Sequence, residues 1–402
     1  MQLHVECPVF ESFRVAQVAG MFDLPLAEKL RETFVVEPPE LDGAEPDRDW
    51  RIGLIVGPSG SGKSTVARRL FGARLYERGA WPADRAVIDG VGELPARTIV
   101  ELFTAVGFSS PPSWVKPYHV LSGGERFRCD LARALASALV EHCALVERCE
   151  DGITKARKHE RGEVLPIVAF DEFTSVVDRQ VAQFGSAAIS RAVRSGRAPC
   201  RFVAVTCHRD VAEWLEPDWT LDMATGETDW RRLRRPDIRV EVVRCRAHLW
   251  KLFARHHYLS GGLSVRARCF LARIGEAPVA FCATLACIGR KGHWRISRIV
   301  TLPDYQGLGV GMKFAEAVAE LHRAEGKRLN ITASHPAVIG HCKKSPRWRA
   351  VSFRRGGRRR GPEFVKDYRA AEGRAVASFE FVGGGEGFTT EDTEGTEGRS
   401  DE

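Results

Sequence analysis

Four short stretches carry side chains whose chemistry depends on spacing. The first is GPSGSGKST, Gly57 to Thr65. It fits G-x-x-x-x-G-K-[ST], a turn whose glycines let successive N–H groups face phosphate oxygens. Gly57, Ser59, Gly60 and Gly62 build the turn, Lys63 reaches toward the β- and γ-phosphates, and Ser64, followed by Thr65, offers a hydroxyl to Mg2+. The second is IVAFDE, an apolar run ending in Asp171 and Glu172. Asp171 is placed to hold Mg2+, and Glu172 to orient or deprotonate an attacking water. Alone, such a pair reads better as the solvated end of a strand; downstream of a phosphate loop the catalytic reading is the stronger one. The third is LSGGERFRCDLARAL, residues 121–135, a second hydroxyl-and-glycine turn that opens a helical pattern. The fourth is DYQGLGVGMKF, which holds Gln306, Gly307, Gly309 and Gly311 between an apolar run and an amphipathic helix. N–H groups at a helix N-terminus face an anion, here a pyrophosphate.

The elements around these stretches fall into two groups. IGLIV at 52–56 precedes the phosphate loop, and LPIVAFDE and RFVAVTCH are two more apolar strands. Buried apolar strands alternating with helices predict a mainly parallel sheet. SSPPSW reads as a turn, and KARKHERGE at 155–163 as a charged excursion. DWRRLRRPDIR, residues 229–239, is basic and contains Pro236, so it reads as a domain boundary. A second α/β unit follows, with strands RCFLARI, PVAFCATLACI and WRISRIVTLP, the helix MKFAEAVAELHRAEG, and a last alternating strand, VASFEFV, at 376–382. Beyond Gly383 the chain is acidic and glycine-rich, and disorder is expected there.

The order of parts up to residue 228 resembles the ATPase domain of the ABC superfamily. LSGGE matches its signature, IVAFDE its second nucleotide motif, SVVD (Ser175 to Asp178) its D-loop, and His208 its switch histidine. The resemblance implies that Lys63, Ser64, Asp171, Glu172 and His208 serve ATP on one subunit. It also implies that Ser122 and Gly124 reach the γ-phosphate held by another copy, so a homodimer through the ATPase domains is expected. No Gln occurs between residues 66 and 120 to fill the family's Q-loop, and Asp89 is the candidate substitute. Phe22 and Phe34 are equal candidates for the aromatic that stacks on adenine.

The pattern Q-x-x-G-x-G between strand and helix resembles the acetyl-coenzyme A loop of GNAT acetyltransferases. That resemblance covers about 238–382. It implies that Val300 and Leu302 flank the acyl-donor arm, and that Gln306, Gly307, Gly309 and Gly311 bind the donor pyrophosphate. The family often has a Glu on the preceding strand and a later Tyr as acid; this strand offers Ser297 and Arg298, and no Tyr lies between 306 and 367. Ser334, His335, His341 and Cys342 are candidates instead, with His335 first, while His256, His257 and Tyr258 could line the acceptor side.

The expected architecture is therefore an α/β chain: an ABC-type ATPase domain at 1–228, a basic linker at 229–237, a GNAT-type acetyltransferase domain at 238–382 and a disordered acidic tail at 383–402. Eleven scattered cysteines with no C-x-x-C pair argue against a zinc ribbon or redox motif. No run of about 18 apolar residues is present, and the start already carries His4 and Glu6, so a cytoplasmic protein without a membrane segment is expected. The net charge of +8 and the arginines at 231–235 and 354–360 raise the prior for RNA or another nucleic acid. The leading reading is an ATP-driven N-acyltransferase using ATP, Mg2+ and acetyl-CoA, with RNA an attractive substrate because some RNA acetyltransferases also couple a nucleotide-driven motor to a GNAT domain, a step that rests on analogy. The rival is an ATP-switched binding machine with a non-catalytic second domain. A transporter ATPase subunit is the weaker third.

Overall fold

Ile52, Leu54, Ile55 and Val56 have almost no solvent exposure. A strand apolar on both faces needs cover on both, which a parallel sheet wrapped by helices provides. The structure, a computed structural model, describes residues 1–23, 29–39, 50–150, 165–230, 238–257, 262–355 and 375–384. It contains three sheets.

The first is a small antiparallel pair, β1 (Gln2–Pro8) with β2 (Lys29–Val35). The second is built from β3 (Ile52–Val56), β4 (Leu75–Tyr76), β5 (Ile167–Phe170), β6 (Arg201–Thr206), β7 (Trp219–Asp222) and β8 (Glu227–Asp229). Its order is β4-β5-β6-β3-β7-β8, parallel throughout except for the β7–β8 pair. The phosphate-loop helix Lys63–Phe71 lies on one face. The helices Ala96–Ala105, Gly123–Glu150 and Arg179–Arg194 supply the core on the other. The central strand is packed to contact: Gly53 faces the ring of Trp219, itself fully buried and edge-on to Trp50 at 5.6 Å.

The third sheet contains β9 (Glu241–Cys245), β10 (Arg268–Ile274), β11 (Ala277–Ala286), β12 (His293–Thr301), β13 (Arg328–Ala333), β14 (Trp348–Arg355) and β15 (Ala375–Phe381). Its order is β14-β15-β13-β12-β11-β10-β9. Only β12 and β13 are parallel, and the helix Val310–Ala324 makes the crossover such a pair requires. Their pairing stops at Ile296 and Ile331, although β12 continues to Thr301 and β13 to Ala333. The two strands therefore splay apart at the end that meets the glycine turn.

The four strands expected in the second unit are present, and β9, β13 and β14 join them. Asp229, expected at the head of the linker, pairs with Thr220 at the edge of the six-stranded sheet. SSPPSW is partly helical, at Pro111–Trp114. The arginines at 231–235 and 358–360, the excursion at 155–163 and the tail from 385 lie outside the described residues.

The two α/β units are packed together. Val181, Ile189, Ala192 and Val193 of the helix Arg179–Arg194 sit in the core of the first unit, while Phe184 of the same helix belongs to the core of the second unit. Its ring meets Tyr305 edge-on at 4.9 Å.

Because Gly53 has no room for a methyl group beside Trp219, Gly53→Ala is expected to destabilise the first unit by about 1–3 kcal/mol through overpacking. A lower urea midpoint measures this, and adding Trp219→Leu is expected to recover part of it.

Candidate nucleotide and acyl-donor sites

The phosphate loop turns on two glycines in the left-handed region, Gly60 (φ 80°) and Gly62 (φ 81°), and the second is the N-cap of Lys63–Phe71. Lys63 Nζ donates to Pro58 O at 2.6 Å, which holds the ammonium over the turn. Ser61 Oγ is buried with no hydrogen-bond partner among the described residues. An orphaned hydroxyl inside a ring of N–H groups suits a phosphate oxygen.

β5 ends beside this loop. Ser64 Oγ donates to Asp171 Oδ1 at 3.0 Å, so the two oxygens expected around Mg2+ are already adjacent. A hydroxyl and a carboxylate, with water and phosphate oxygens, form the hard donor set that Mg2+ takes. Glu172 follows, exposed, at φ 50°, and Thr174 holds φ 68°. A β-branched residue in the left-handed region is costly and persists where surroundings over-determine it. Here Thr174 Oγ1 lies 3.2 Å from His208 Nδ1 and 3.4 Å from Thr206 Oγ1, so the turn that presents Glu172 also anchors His208. Burial, and then the Arg179 guanidinium, lower the pKa of His208, which leaves the ring neutral near pH 7.

A cavity of about 350 Å3 lies over the loop, walled by Phe34, Lys63, Ser64, Asp171, Glu172 and Thr206 among others. Between the two aromatic candidates the structure favours Phe34. A methyl on Gly62 would come within 2.6 Å of its ring. Phe22 is 71% exposed and does not wall the cavity. Asp89 is exposed in the short helix Val87–Gly90 and is also absent from that wall.

Ser122 and Gly124 sit elsewhere on the surface, at the start of Gly123–Glu150, and do not wall this cavity either. Ser122 and Glu125 form a capping box. Ser122 N–H and Oγ–H both donate to Glu125 Oε2 at 3.0 Å, and Glu125 N–H donates back to Ser122 Oγ at 3.3 Å. Burial opposes the Glu125 charge, but hydrogen bonds from Ser113 and Ser122 outweigh it and hold the carboxyl below its ordinary pKa. Asp178, the last residue of SVVD, caps Arg179–Arg194 by accepting from Val181 N at 2.9 Å.

In the second unit, Gly307 (φ 87°) and Gly309 (φ 79°) turn the chain into the helix Val310–Ala324, whose first N–H groups have no intrahelical partner. The turn meets the splay of β12 and β13, so main-chain N–H groups and an open strand edge adjoin, which fits a donor with a pyrophosphate and an extended arm. Val300 is buried in a cluster with Trp250, Phe253 and Phe281, and Leu302 is half-buried; beyond Ile296 it is the main chain of this strand that borders the gap. A methyl on Gly311 would strike Thr301. Gln306 points into the ATPase unit: its Oε1 accepts from Ser109 N–H at 2.6 Å, and its Nε2 donates to Thr301 O at 2.8 Å.

The histidine and thiol candidates have structural partners. His335 caps the helix Pro336–Lys344, its Nδ1 accepting from Ala337 N–H at 3.2 Å. Its ring lies 5.9 Å from that of Trp114 in the ATPase unit, and burial lowers its pKa. These contacts give the leading acid–base candidate a place at the domain boundary. Cys342 is 1% exposed, and burial pushes its thiol up to about 12, which makes it a poor nucleophile at neutral pH. His341 Nε2 bonds Glu316 Oε1 at 2.8 Å within a buried network that includes Arg347 and Trp348. Ser334 is half-buried just beyond β13. His256 faces Arg255, and His257 stacks edge-on against Trp250 at 5.6 Å; Tyr258 is outside the described residues.

Comparison with known proteins agrees with the second unit. Residues 227–340 match the Acetyltransferase (GNAT) family, and the match includes the turn Gln306–Gly311. No curated protein matches the chain. Among solved structures, an IAA acetyltransferase from Bacillus cereus is 18% identical, covering 36% of this chain and 99% of its own, with a TM-score of 0.27. The ribosomal-protein-S18-alanine N-acetyltransferase from Escherichia coli is 17% identical, covering 38% and 100%, with a TM-score of 0.28. A dimeric ATP-binding cassette in a post-hydrolysis state, bound to ADP and Pi, is 16% identical, covering 46% and 86%, with a TM-score of 0.32. At these scores the three decide nothing about the sites. The first unit is a mainly parallel α/β sheet that carries the phosphate loop and the two carboxylates at the ends of its strands. The stretch that matches the GNAT family, residues 227–340, is packed against it.

Phe34→Ala is expected to weaken ATP binding about tenfold, the order of one lost aromatic stack on a base. Fluorescence titration measures this. Phe22→Ala is expected to leave it unchanged, and equal losses would reject Phe34 as the stacking ring.

Proposed function

We propose that this protein is an ATP-hydrolysing N-acyltransferase. Two copies would pair head to tail through their ATPase units, each phosphate loop facing the Ser122–Gly124 turn of the other. Lys63 and the loop N–H groups would hold the phosphates of ATP. Ser64 and Asp171 would hold Mg2+, which neutralises charge on the phosphates when bound. Glu172 would orient the attacking water and His208 would contact the γ-phosphate. The second unit would take acetyl-CoA at the Gln306–Gly311 turn and pass the acetyl group to an amine.

The observation that carries the reading is the joining of two such turns in one packed body. The glycine turn of the GNAT segment lies directly against the ATPase unit, through the Ser109–Gln306 hydrogen bond at 2.6 Å. A macromolecular acceptor, RNA before protein, is favoured by the net charge of +8. No helix among the described residues is long and apolar enough to cross a membrane, which offers nothing to a transporter reading. One feature supports the rival, a non-catalytic second unit. A methyl on Gly307 would meet Ala188 at 2.7 Å, so packing against the first unit, as well as a ligand, accounts for a glycine there.

Purified protein given labelled acetyl-CoA, ATP and either bulk RNA or protein extract separates these readings. Label on RNA is the expected result, and label on protein would redirect the acceptor. CoA binding without transfer would favour the rival, and no CoA binding would remove the donor site. For the other half, Glu172→Gln is expected to cut ATP turnover at least tenfold and to accumulate an ATP-bound dimer in size-exclusion chromatography. A monomer with unchanged turnover would contradict the composite site.

A further inference from the structure

The segment Pro303–Gly309 touches the ATPase unit from two sides. One side is the arm that carries the signature. There Ser109 N–H donates to Gln306 Oε1 at 2.6 Å, Gly107 packs on the Gln306–Gly307 backbone, and Arg128 lies 3.7 Å from Asp304. The other side is the helix Arg179–Arg194. There Gln180 Nε2 donates to Tyr305 Oη at 2.6 Å, Phe184 packs on the Tyr305 ring, and Ala188 abuts Gly307.

Both sides connect directly to the nucleotide motifs. Arg128 Nη1 donates to Gly124 O at 3.1 Å, inside the signature turn. The helix Arg179–Arg194 starts from Asp178, which ends the stretch that follows Glu172. Arg128 is 1% exposed, and its Nε and Nη2 have no hydrogen-bond partner among the described residues. Burial lowers its pKa, and Asp304 is the foremost influence opposing that. A buried guanidinium needs a compensating anion. Here the anion comes from the other unit, two residues before the donor turn.

We propose that residues 303–309 are the coupling element between the two sites, with Asp304, Tyr305 and Gln306 as positioning residues. They set the donor turn according to how the signature arm stands against the helix Arg179–Arg194. ATP at the composite site changes that stance and thereby changes affinity for CoA. This rests on the donor-site reading above. It carries a thermodynamic requirement: CoA must change affinity for ATP by the same factor.

The full-length Glu172→Gln protein, which retains ATP, allows the test. Calorimetry would measure CoA binding with and without saturating Mg-ATP, and Mg-ATP binding with and without CoA. The expected result is one factor of about fivefold or more, equal in both directions. Asp304→Asn and Tyr305→Phe are each expected to bring that factor toward one while both ligands still bind. A lost fold contact of no coupling consequence would shift affinities and leave the factor intact, so a preserved factor in both variants rejects these residues. A factor of one in the parent, with CoA bound, overturns the coupling and leaves the donor site standing. CoA binding in no state removes the donor site and the coupling with it.

Discussion

The helix Arg179–Arg194 is shared between two cores, and the rest of the arrangement depends on that sharing. Its buried face supplies Val181, Ile189 and Val193 to the core of the first unit, while Phe184 completes the core of the second unit against Tyr305 and Trp214. Burying one aromatic ring this way is worth a few kcal/mol. Separating the units would expose it together with the polar contacts around Tyr305 and Gln306. Close-packed interfaces resist gradual deformation and move between discrete arrangements. The proposed coupling through this helix relies on that property.

Strain is concentrated where the nucleotide chemistry would occur. Glu172 and Thr174 occupy the left-handed region, and the surrounding contacts hold them there. The Asp171 carboxylate accepts from Ser64 and from the Glu172 N–H, while Thr174 and Thr206 fix His208. Each constraint fixes a group of the candidate site, so local strain is offset by contacts that hold the site's geometry.

Two glycine turns in one chain obey different constraints. Gly60 stands in open space and is free to serve the loop. Gly307 is closed in by Ala188 and Gly107. Both hold positive φ, which an L side chain rarely adopts. Only the second is also crowded by another domain, which ties its shape to what that domain does.

Much of the candidate nucleotide site's geometry was legible in the chain alone. Its parts are short contiguous motifs at the ends of apolar strands, where local geometry follows from the backbone: a turn of glycines, a strand end with two acids, a histidine ending the next strand. The main strands were legible for the same reason, since apolar runs and alternation report burial directly. β13 and β14 were missed because neither is a long apolar run; RLNITA and WRAVSFRR become strands through pairing with β12 and β15. The placement of Phe34, and not Phe22, on the cavity wall depends on a strand folding back across the loop. The engagement of Gln306 by Ser109 joins residues 197 positions apart, and no local pattern encodes such a contact. Sequence by itself determined which groups could meet phosphate, because those groups act through neighbours in the chain. Tertiary structure alone decided that the two turns belong to one packed body, because the helix that joins them serves two cores at once.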